Sequence, residues 1–254
     1  MDHITRRFFL LSSAALSVGC ATRGPAADAA ALSAQKVRQP IQGQTWRYAK
    51  HDIFTRKIVD EQVDRVGTVD HTVEIDSSYQ APGTAGKPGW GAEQLQKYTG
   101  HQDIRAGKLP SEIQDPWGMV AVDPHWSQVQ VYETPIPLWP TQLEPGWETH
   151  ISTKYKTPAD QDALPWDQTM KALTWETITV PAGQFKALRF TNLIKFKHGD
   201  FSRTNSVRRE KIWFAPEVGR WVARESQGTY YIADSTIVQP YNESGYRWEL
   251  LEWS

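Results

Sequence analysis

The sequence is poor in cysteine, and that scarcity limits the chemistry open to it. Cys20 is the single cysteine among 254 residues. An intramolecular disulfide, a multi-thiolate metal site and a cysteine nucleophile in the folded domain are therefore excluded, and stability has to come from a buried core. An excess of one charge sign is also missing, since the formal net charge is −1. Such a balance argues against nucleic acid as a partner.

Familiar catalytic motifs are missing as well. The chain has no His-Glu-x-x-His, no Gly-x-Ser-x-Gly and no Gly-x-x-x-x-Gly-Lys, which removes the easily recognised metalloprotease, hydrolase and nucleotide-binding classes. We therefore predict a noncatalytic protein without a metal or a cofactor. A hydrolase stays open as an alternative, because Asp123-Pro124-His125 and His198-Gly199-Asp200 each place a carboxylate two residues from an imidazole. That spacing could orient a base or bind a metal.

What the chain does have is a distinctive N-terminus. An arginine pair, Arg6 and Arg7, precedes an apolar run from Phe8 to Val18, and Cys20 follows that run directly. The run has the length of a signal-peptide core and is too short to cross a bilayer. These residues predict export from the cytoplasm.

The segment resembles a bacterial lipoprotein signal, and its front resembles the twin-arginine export motif. The resemblance implies cleavage between Gly19 and Cys20 and acylation of Cys20, while an ordinary cleaved secretory signal is the alternative. Two or three acyl chains would hold the protein durably on a membrane. In the sorting rule of such leaders, Ala21 in place of aspartate implies the periplasmic face of the outer membrane.

The chain divides into three parts on these grounds. Residues 1–19 are the predicted signal peptide, and residues 20–40 are the lipidated cysteine and a tether rich in small residues. Residues 41–254 are a single β-rich domain, in which two meander halves would meet near residues 135–146. Four prolines between Pro135 and Gly146 predict a connection there rather than a central strand.

Apolar and polar residues alternate along most of the domain, which predicts an all-β fold of about ten strands. Ala92–Tyr98 is predicted as a short helix. Wet faces and short connections favour a strongly curved antiparallel sheet, an incomplete barrel with few short helices, and a two-sheet β-sandwich is the alternative. The predicted strands are Thr45–Lys50, Ile53–Val59, 68–76, Ser127–Glu133, Trp147–Tyr155, Leu173–Val180, Leu188–Phe196, Arg208–Phe214, Arg220–Ser226 and Tyr246–Trp253.

Two turn sequences predict hairpin tips, Pro181-Ala182-Gly183 and Pro216-Glu217-Val218-Gly219. With their flanks and the opening Gly43-x-x-Trp46-x-Tyr48, they resemble motifs of bacterial envelope domains of unknown function. The resemblance implies a bent antiparallel sheet similar to the incomplete barrels of lipoprotein carriers. It implies no reaction.

Tryptophan is abundant, with 12 residues against 8 phenylalanines. Its rigid ring with one polar edge suits core packing, sugar stacking and lipid contact. Packing in the core is predicted for the tryptophans in strands, Trp46, Trp175, Trp213 and Trp221. Those beside glycine or proline in predicted loops are candidates for ligand binding: Trp90, Trp117, Trp126, Trp139 and Trp166.

Basic residues gather in one late segment, and they form a candidate patch for an anionic lipid or glycan. A solvated hairpin is the alternative. The patch consists of Lys195, Lys197, Arg203, Arg208, Arg209 and Lys211.

Together these features predict a membrane-anchored envelope lipoprotein whose curved sheet binds a lipid-like ligand or a partner protein on an apolar concave face. A glycan or peptidoglycan module that uses the loop tryptophans is the second hypothesis. A hydrolase working through Asp123, His125, His198 or Asp200 is the third.

Overall fold

The computed structural model describes residues 37–85, 109–126, 128–200, 202–233 and 239–254. The leader with Arg6, Arg7 and Cys20, the helix predicted over Ala92–Tyr98, and Trp90 lie outside the described residues. The described residues contain strands and turns and no helix. No helix among them is therefore long and apolar enough to cross a membrane.

Thirteen strands make up the described structure. They are β1 (Thr45–Asp52), β2 (Ile58–Val69), β3 (Val73–Gln80), β4 (Glu112–Gln114), β5 (Met119–Asp123), β6 (Gln130–Pro137), β7 (Glu148–Lys156), β8 (Leu164–Val180), β9 (Gly183–Phe196), β10 (Arg203–Ala215), β11 (Arg220–Ile232), β12 (Tyr241–Asn242) and β13 (Tyr246–Trp253).

The strands form one antiparallel sheet that closes on itself. Strands β1 to β11 form a meander in which each strand pairs with the next one along the chain. Strand β13 lies between the two ends of this meander and pairs with β1 on one side and with β11 on the other. Twelve strands thus form a closed barrel, and β12 adds to the end of β11. The all-β antiparallel prediction is confirmed, but the incomplete barrel and the β-sandwich are both wrong. The reason is β13, which pairs on both sides and removes the open edges that an incomplete barrel would keep.

Two predicted strands are divided or shifted by turns. The alternation of residues 68–76 predicted one strand, but a tight turn separates β2 from β3, with Val69 paired to Val73. Asp70 makes the turn, because its Oδ1 accepts the Thr72 N–H at 2.8 Å. The alternation continues through the turn, so periodicity alone does not reveal it. In the same way Asp52 caps a turn that delays β2 to Ile58.

Pro135 and Pro137 lie within β6, which pairs on both sides, contrary to the prediction that this segment holds no central strand. The prolines are tolerated because β6 pairs with β7 at Val131 and Tyr132 alone, so their missing N–H groups leave no gap in that ladder. The connection predicted between two halves is therefore shorter and begins after Pro137.

Both predicted hairpin tips are confirmed. Val180 pairs with Gly183 across a two-residue loop, and Phe214 pairs with Trp221 across the second. Gly219 has a φ of +72°, and a Cβ there would lie 2.3 Å from the carbonyl oxygen of Arg38. A side chain at this position would be excluded both by the backbone conformation and by that close approach.

Side chains that point inward form two apolar clusters. The larger includes Trp46, Tyr48, Phe190, Phe214 and Trp221. The second, which we call the aromatic cluster, lies between β5 and β9 and consists of Val120, Tyr132, Ile136, Tyr155, Leu164, Trp166, Ile194 and Phe196. Charged side chains occupy the interior beside these clusters.

Candidate functional site

A cavity of about 270 Å³ opens into the interior beside the apolar clusters. Its lining consists mainly of charged groups, polar groups and aromatic rings, and its aliphatic side chains are those of Pro124 and Leu138. The lining residues are Lys50, Gln62, Tyr79, Glu112, Asp123, Pro124, His125, Trp126, Leu138, Arg208, Arg220, Trp221, Arg224, Ser226, Tyr246 and Trp248. The volume lies just below the range of about 300–1,000 Å³ that is usual for small-molecule sites.

Five ionisable side chains meet at one side of this cavity, four of them in its lining and Asp64 behind Arg220, and we call them the charged cluster. They are Asp64, Glu112, Asp123, His125 and Arg220. The strand period of two explains the arrangement, because inward positions of β2, β4 and β5 carry these acids where a core residue would otherwise stand. The exposed fractions of Asp64, Glu112, Asp123 and Arg220 are 0%, 2%, 8% and 2%.

Arg220 links two of the acids. Its Nη2 lies 3.2 Å from Asp64 Oδ2, and its Nη1 lies 3.4 Å from Glu112 Oε1. Burial would lower the pKa of the Arg220 guanidinium, but the charges of Glu112 and Asp64 outweigh burial and raise it. Arg220 is thus a permanent cation at the first position of β11, and it holds β2 and β4 together.

His125 links the other side of the charged cluster. Its Nδ1 lies 2.9 Å from Asp123 Oδ1 and 3.4 Å from Glu112 Oε2. The Asp123-Pro124-His125 turn fixes this geometry, because Asp123 Oδ1 also accepts the His125 backbone N–H at 2.9 Å. Trp126 Nε1 donates to Asp123 Oδ2, again at 2.9 Å.

The pKa values of Asp123 and His125 move apart. Burial opposes charge on both groups, but their mutual hydrogen bond and charge interaction outweigh it. The pKa of Asp123 falls to about 2 and that of His125 is raised. Asp123 is therefore ionised near neutral pH, and its carboxylate favours the protonated form of His125.

Ser77 extends the chain of contacts, since its Oγ lies 3.0 Å from His125 Nε2. Serine, histidine and aspartate in this order resemble a nucleophilic triad, but the hydroxyl donates to Asp64 Oδ1 at 2.7 Å. Because the Ser77 hydroxyl already donates its hydrogen bond to Asp64, it can only accept one from His125. A nucleophilic serine has to donate to a neutral imidazole instead. Ser77 is 3% exposed. The geometry does not favour acyl transfer.

Three further cations line the cavity, and each has an acidic partner. Lys50 Nζ lies 3.7 Å from Asp60. Arg224 lies 2.5 Å from Glu210, and Arg208 lies 3.0 Å from Glu243. Each also lies over an aromatic ring: Lys50 over Tyr246 at 4.0 Å, Arg208 over Trp126 at 3.8 Å and Arg224 over Trp248 at 5.6 Å. The cavity therefore presents flat rings and fixed hydrogen-bonding groups side by side.

The predicted hydrolase residues divide into two places. Asp123 and His125 lie together in the cavity wall, while His198 and Asp200 lie in the turn between β9 and β10, outside the lining. There the Asp200 N–H donates to His198 Nδ1 at 2.9 Å, and Asp200 accepts from Ser202. The second pair is thus a turn, and the four residues form no common site.

The candidate loop tryptophans lie in different environments. Trp117 is 62% exposed in the turn between β4 and β5, and Trp126 lines the cavity. Trp139 is 7% exposed, and Trp166 is 1% exposed and belongs to β8 rather than to a loop. Among the strand tryptophans Trp46, Trp213 and Trp221 are buried, whereas Trp175 is partly exposed. Of the described candidates, Trp126 alone combines a loop position with access to the cavity.

The predicted basic patch is divided by the strand alternation. Arg208 points inward to Trp126, while Lys195, Arg209 and Lys211 are exposed on the outer face. Lys197 is exposed beyond the end of β9, and Arg203 lies 3.6 Å from Asp200. The six side chains do not form one surface.

Sequence reasoning missed Asp64, Glu112, Arg220 and the cavity rings of β13, Tyr246 and Trp248. A signal existed for β2, where Asp60, Gln62 and Asp64 share one parity. A row of polar side chains ordinarily predicts the solvent face of a strand, whereas these three side chains are buried inside the barrel.

No protein-family model and no curated protein matches the chain. Two solved structures are similar to the chain over most of its length. One is a "putative lipoprotein" from Parabacteroides distasonis ATCC 8503, with 14% identity, a TM-score of 0.45, and coverage of 84% of this chain and 96% of that one. The other is a "putative exported protein with YmcC-like fold" from Bacteroides fragilis NCTC 9343, with 12% identity, a TM-score of 0.40, and coverage of 87% and 99%.

Proposed function

We propose that this protein is a noncatalytic lipoprotein of the bacterial envelope, anchored through Cys20, that binds a small polar ligand of saccharide chemistry in its cavity. The composition of the cavity lining carries the proposal. Aromatic rings can stack on the apolar faces of a sugar, and fixed ionic pairs can bond its hydroxyls. The size of about 270 Å³ suits one or two sugar units rather than a long chain.

The lining does not support the lipid-like ligand that the sequence suggested. An acyl chain gains free energy by leaving water for an aliphatic surface. The charged groups of the lining, such as Lys50 and Arg224, would lose hydrating water to an acyl chain and gain no polar partner from it, which costs free energy. The hydroxyl groups of a saccharide can instead form hydrogen bonds with these charged groups in place of the displaced water.

Titration with soluble peptidoglycan fragments and oligosaccharides, followed by tryptophan fluorescence, tests the ligand. Trp248→Ala removes a ring of the lining, and we expect it to weaken binding about fivefold or more, since loss of a ring on which a base stacks costs about 1–3 kcal/mol and a sugar face uses the ring in the same way. Trp117→Ala is the matched control, because Trp117 is 62% exposed and lies outside the lining. Equal affinities of the two variants, or the absence of binding to every saccharide, would contradict the proposal.

The anchor has a separate test. Protein purified from envelopes should begin at Cys20 and carry the mass of a diacylglyceryl group and an N-acyl chain. Cys20→Ser should release the protein from the membrane fraction. An unmodified thiol at Cys20, or cleavage at another position, would refute the anchor and leave the ligand site untouched.

A further inference from the structure

We propose that Glu112, Asp123 and His125 form a binding site for one divalent transition-metal cation, with Zn²⁺ as the best fit. The site lies in the wall of the cavity and does not depend on the nature of the ligand bound there. It would make the protein a metal-binding protein whatever the outcome for saccharides.

The distances between the three side chains suit a metal. One ligand atom of each lies within 4.8 Å of the other two. His125 Nδ1 lies 2.9 Å from Asp123 Oδ1 and 3.4 Å from Glu112 Oε2. A tetrahedral Zn²⁺ with bonds of about 2.0–2.2 Å holds its ligand atoms roughly 3.4 Å apart. Small shifts of the side chains would therefore admit an ion between them.

Each of the three side chains is also held in place by a contact with a residue outside the proposed metal site. Asp123 Oδ2 accepts from Trp126, and Glu112 Oε1 lies 3.4 Å from Arg220 Nη1. His125 Nε2 lies 3.0 Å from Ser77 Oγ, which leaves Nδ1 directed at the two carboxylates. Supporting contacts of this kind orient the ligands of metal sites.

The charges of the cluster supply an independent reason. Among the described residues, Asp64 and Glu112 each pair with the guanidinium of Arg220, while Asp123 is held by His125 and also feels the charge of Arg224. The remaining cations of the lining are matched by Asp60, Glu210 and Glu243. The three buried carboxylates thus outnumber the one guanidinium that pairs with them at this wall, and a divalent ion would supply further positive charge. Uncompensated charge among buried groups is costly.

The donor set selects the class of ion. One imidazole nitrogen and two carboxylate oxygens suit Zn²⁺, Mn²⁺ or Fe²⁺, while Ca²⁺ and Mg²⁺ prefer oxygen ligands alone. Three protein ligands leave the fourth position of a tetrahedron open to the cavity, where a water or a hydroxyl of a bound molecule could coordinate.

Calorimetric titration of the tag-free, chelator-treated protein with Zn²⁺ tests the site, and elemental analysis after desalting gives the stoichiometry. We expect one Zn²⁺ per chain and no comparable binding of Ca²⁺. His125→Ala should lower the affinity at least tenfold, whereas His198→Ala, which removes the histidine of the turn outside the cavity, should leave it unchanged.

Absorption of the Co²⁺-loaded protein and X-ray absorption of the Zn²⁺-loaded wild type keep the proposal testable if His125→Ala does not fold. One nitrogen and oxygen neighbours in a four-coordinate shell support it. Absence of stoichiometric Zn²⁺, a shell without nitrogen, or equal effects of the two histidine variants would overturn it. Saccharide titration with and without Zn²⁺ reports on the proposed ligand separately, so that the two proposals can fail independently.

Discussion

The aromatic cluster and the charged cluster occupy the interior of the same barrel, yet they stabilise it in different ways. Around Trp166 the rings of Tyr132, Tyr155 and Phe196 pack with centroid distances of 5.2–5.8 Å. Around Arg220 the inward positions carry acids. Strand alternation is common to both walls, so it determines which side chains face inward but not whether they are apolar. The wall whose inward positions carry charged rather than apolar side chains is the wall that lines the cavity.

Trp126 lies where the two clusters meet. Its ring contacts Trp166 and Phe196 at 5.3 and 5.2 Å, while its Nε1 donates to Asp123. The aromatic cluster therefore serves as a rigid support for the turn that carries His125. A site that needs fixed geometry gains from being built against a closely packed wall.

The largest expected effect belongs to the aromatic cluster. Trp166→Ala should lower the free energy of unfolding by about 3–5 kcal/mol, because it leaves a large cavity among packed rings. Denaturant unfolding measures the loss. The Zn²⁺ affinity of the protein that remains folded should change far less than in His125→Ala. A loss below about 1 kcal/mol would mean that this wall is less closely packed than its contacts indicate.

Arg220→Met is the corresponding change in the charged cluster. It leaves Asp64 and Glu112 buried without their guanidinium, and we expect a loss near the lower end of about 3–5 kcal/mol. The double variant Asp64→Asn, Arg220→Met should recover part of that loss, since it removes one of the unpaired charges. If both variants unfold at the same denaturant concentration, the ion pair does not determine the cost.

The sequence predicted much of the barrel and little of the charged cluster. Strand β13 has the predicted bounds, and both hairpin tips lie where turn residues place them. Closure was missed because it depends on the pairing of Trp46 with Trp253, residues from opposite ends of the domain. Local patterns do not report such pairings.

The charged cluster was missed because β2 reverses the usual rule. Val59 is 37% exposed, whereas Asp60 and Asp64 are fully buried. Over the first half of β2 the polar side chains face inward and Val59 faces outward, and the buried Val66 restores the usual pattern only near the end of the strand. Asp123 and His125 were found because their two-residue spacing is a local signal. Their partners Glu112 and Arg220 come from distant strands and carry no such signal.

Acid should weaken the protein through Glu61, an acid whose contacts lie outside the charged cluster. Burial alone would raise its pKa, but the Gly83 N–H at 2.8 Å and Arg47 at 2.7 Å outweigh burial and lower it. A lowered folded-state pKa means that this stabilisation is present above the ordinary value of 4.5 and is lost as the pH falls below it.

Glu61→Gln should therefore cost about 1–2 kcal/mol at pH 7 and flatten the loss of stability below pH 4.5. Denaturant unfolding of both proteins across the acid range measures it. Parallel curves for the wild type and the variant would place the acid sensitivity elsewhere, with the carboxylates of the charged cluster as the next group to examine.

The smallest effect should come from an ion pair on the same hairpin as Arg220 but on its outer face. Lys211 lies 3.6 Å from Glu225, and its side chain is 62% exposed. Water screens this pair and the lysine loses rotamer freedom in forming it, so Lys211→Ala should change the free energy of unfolding by less than about 0.5 kcal/mol. Unfolding in low and in high salt measures both the value and its screening. Because Arg220 and Lys211 belong to one hairpin, a comparable loss from the two substitutions would show that burial does not distinguish the barrel's inner face from its outer face.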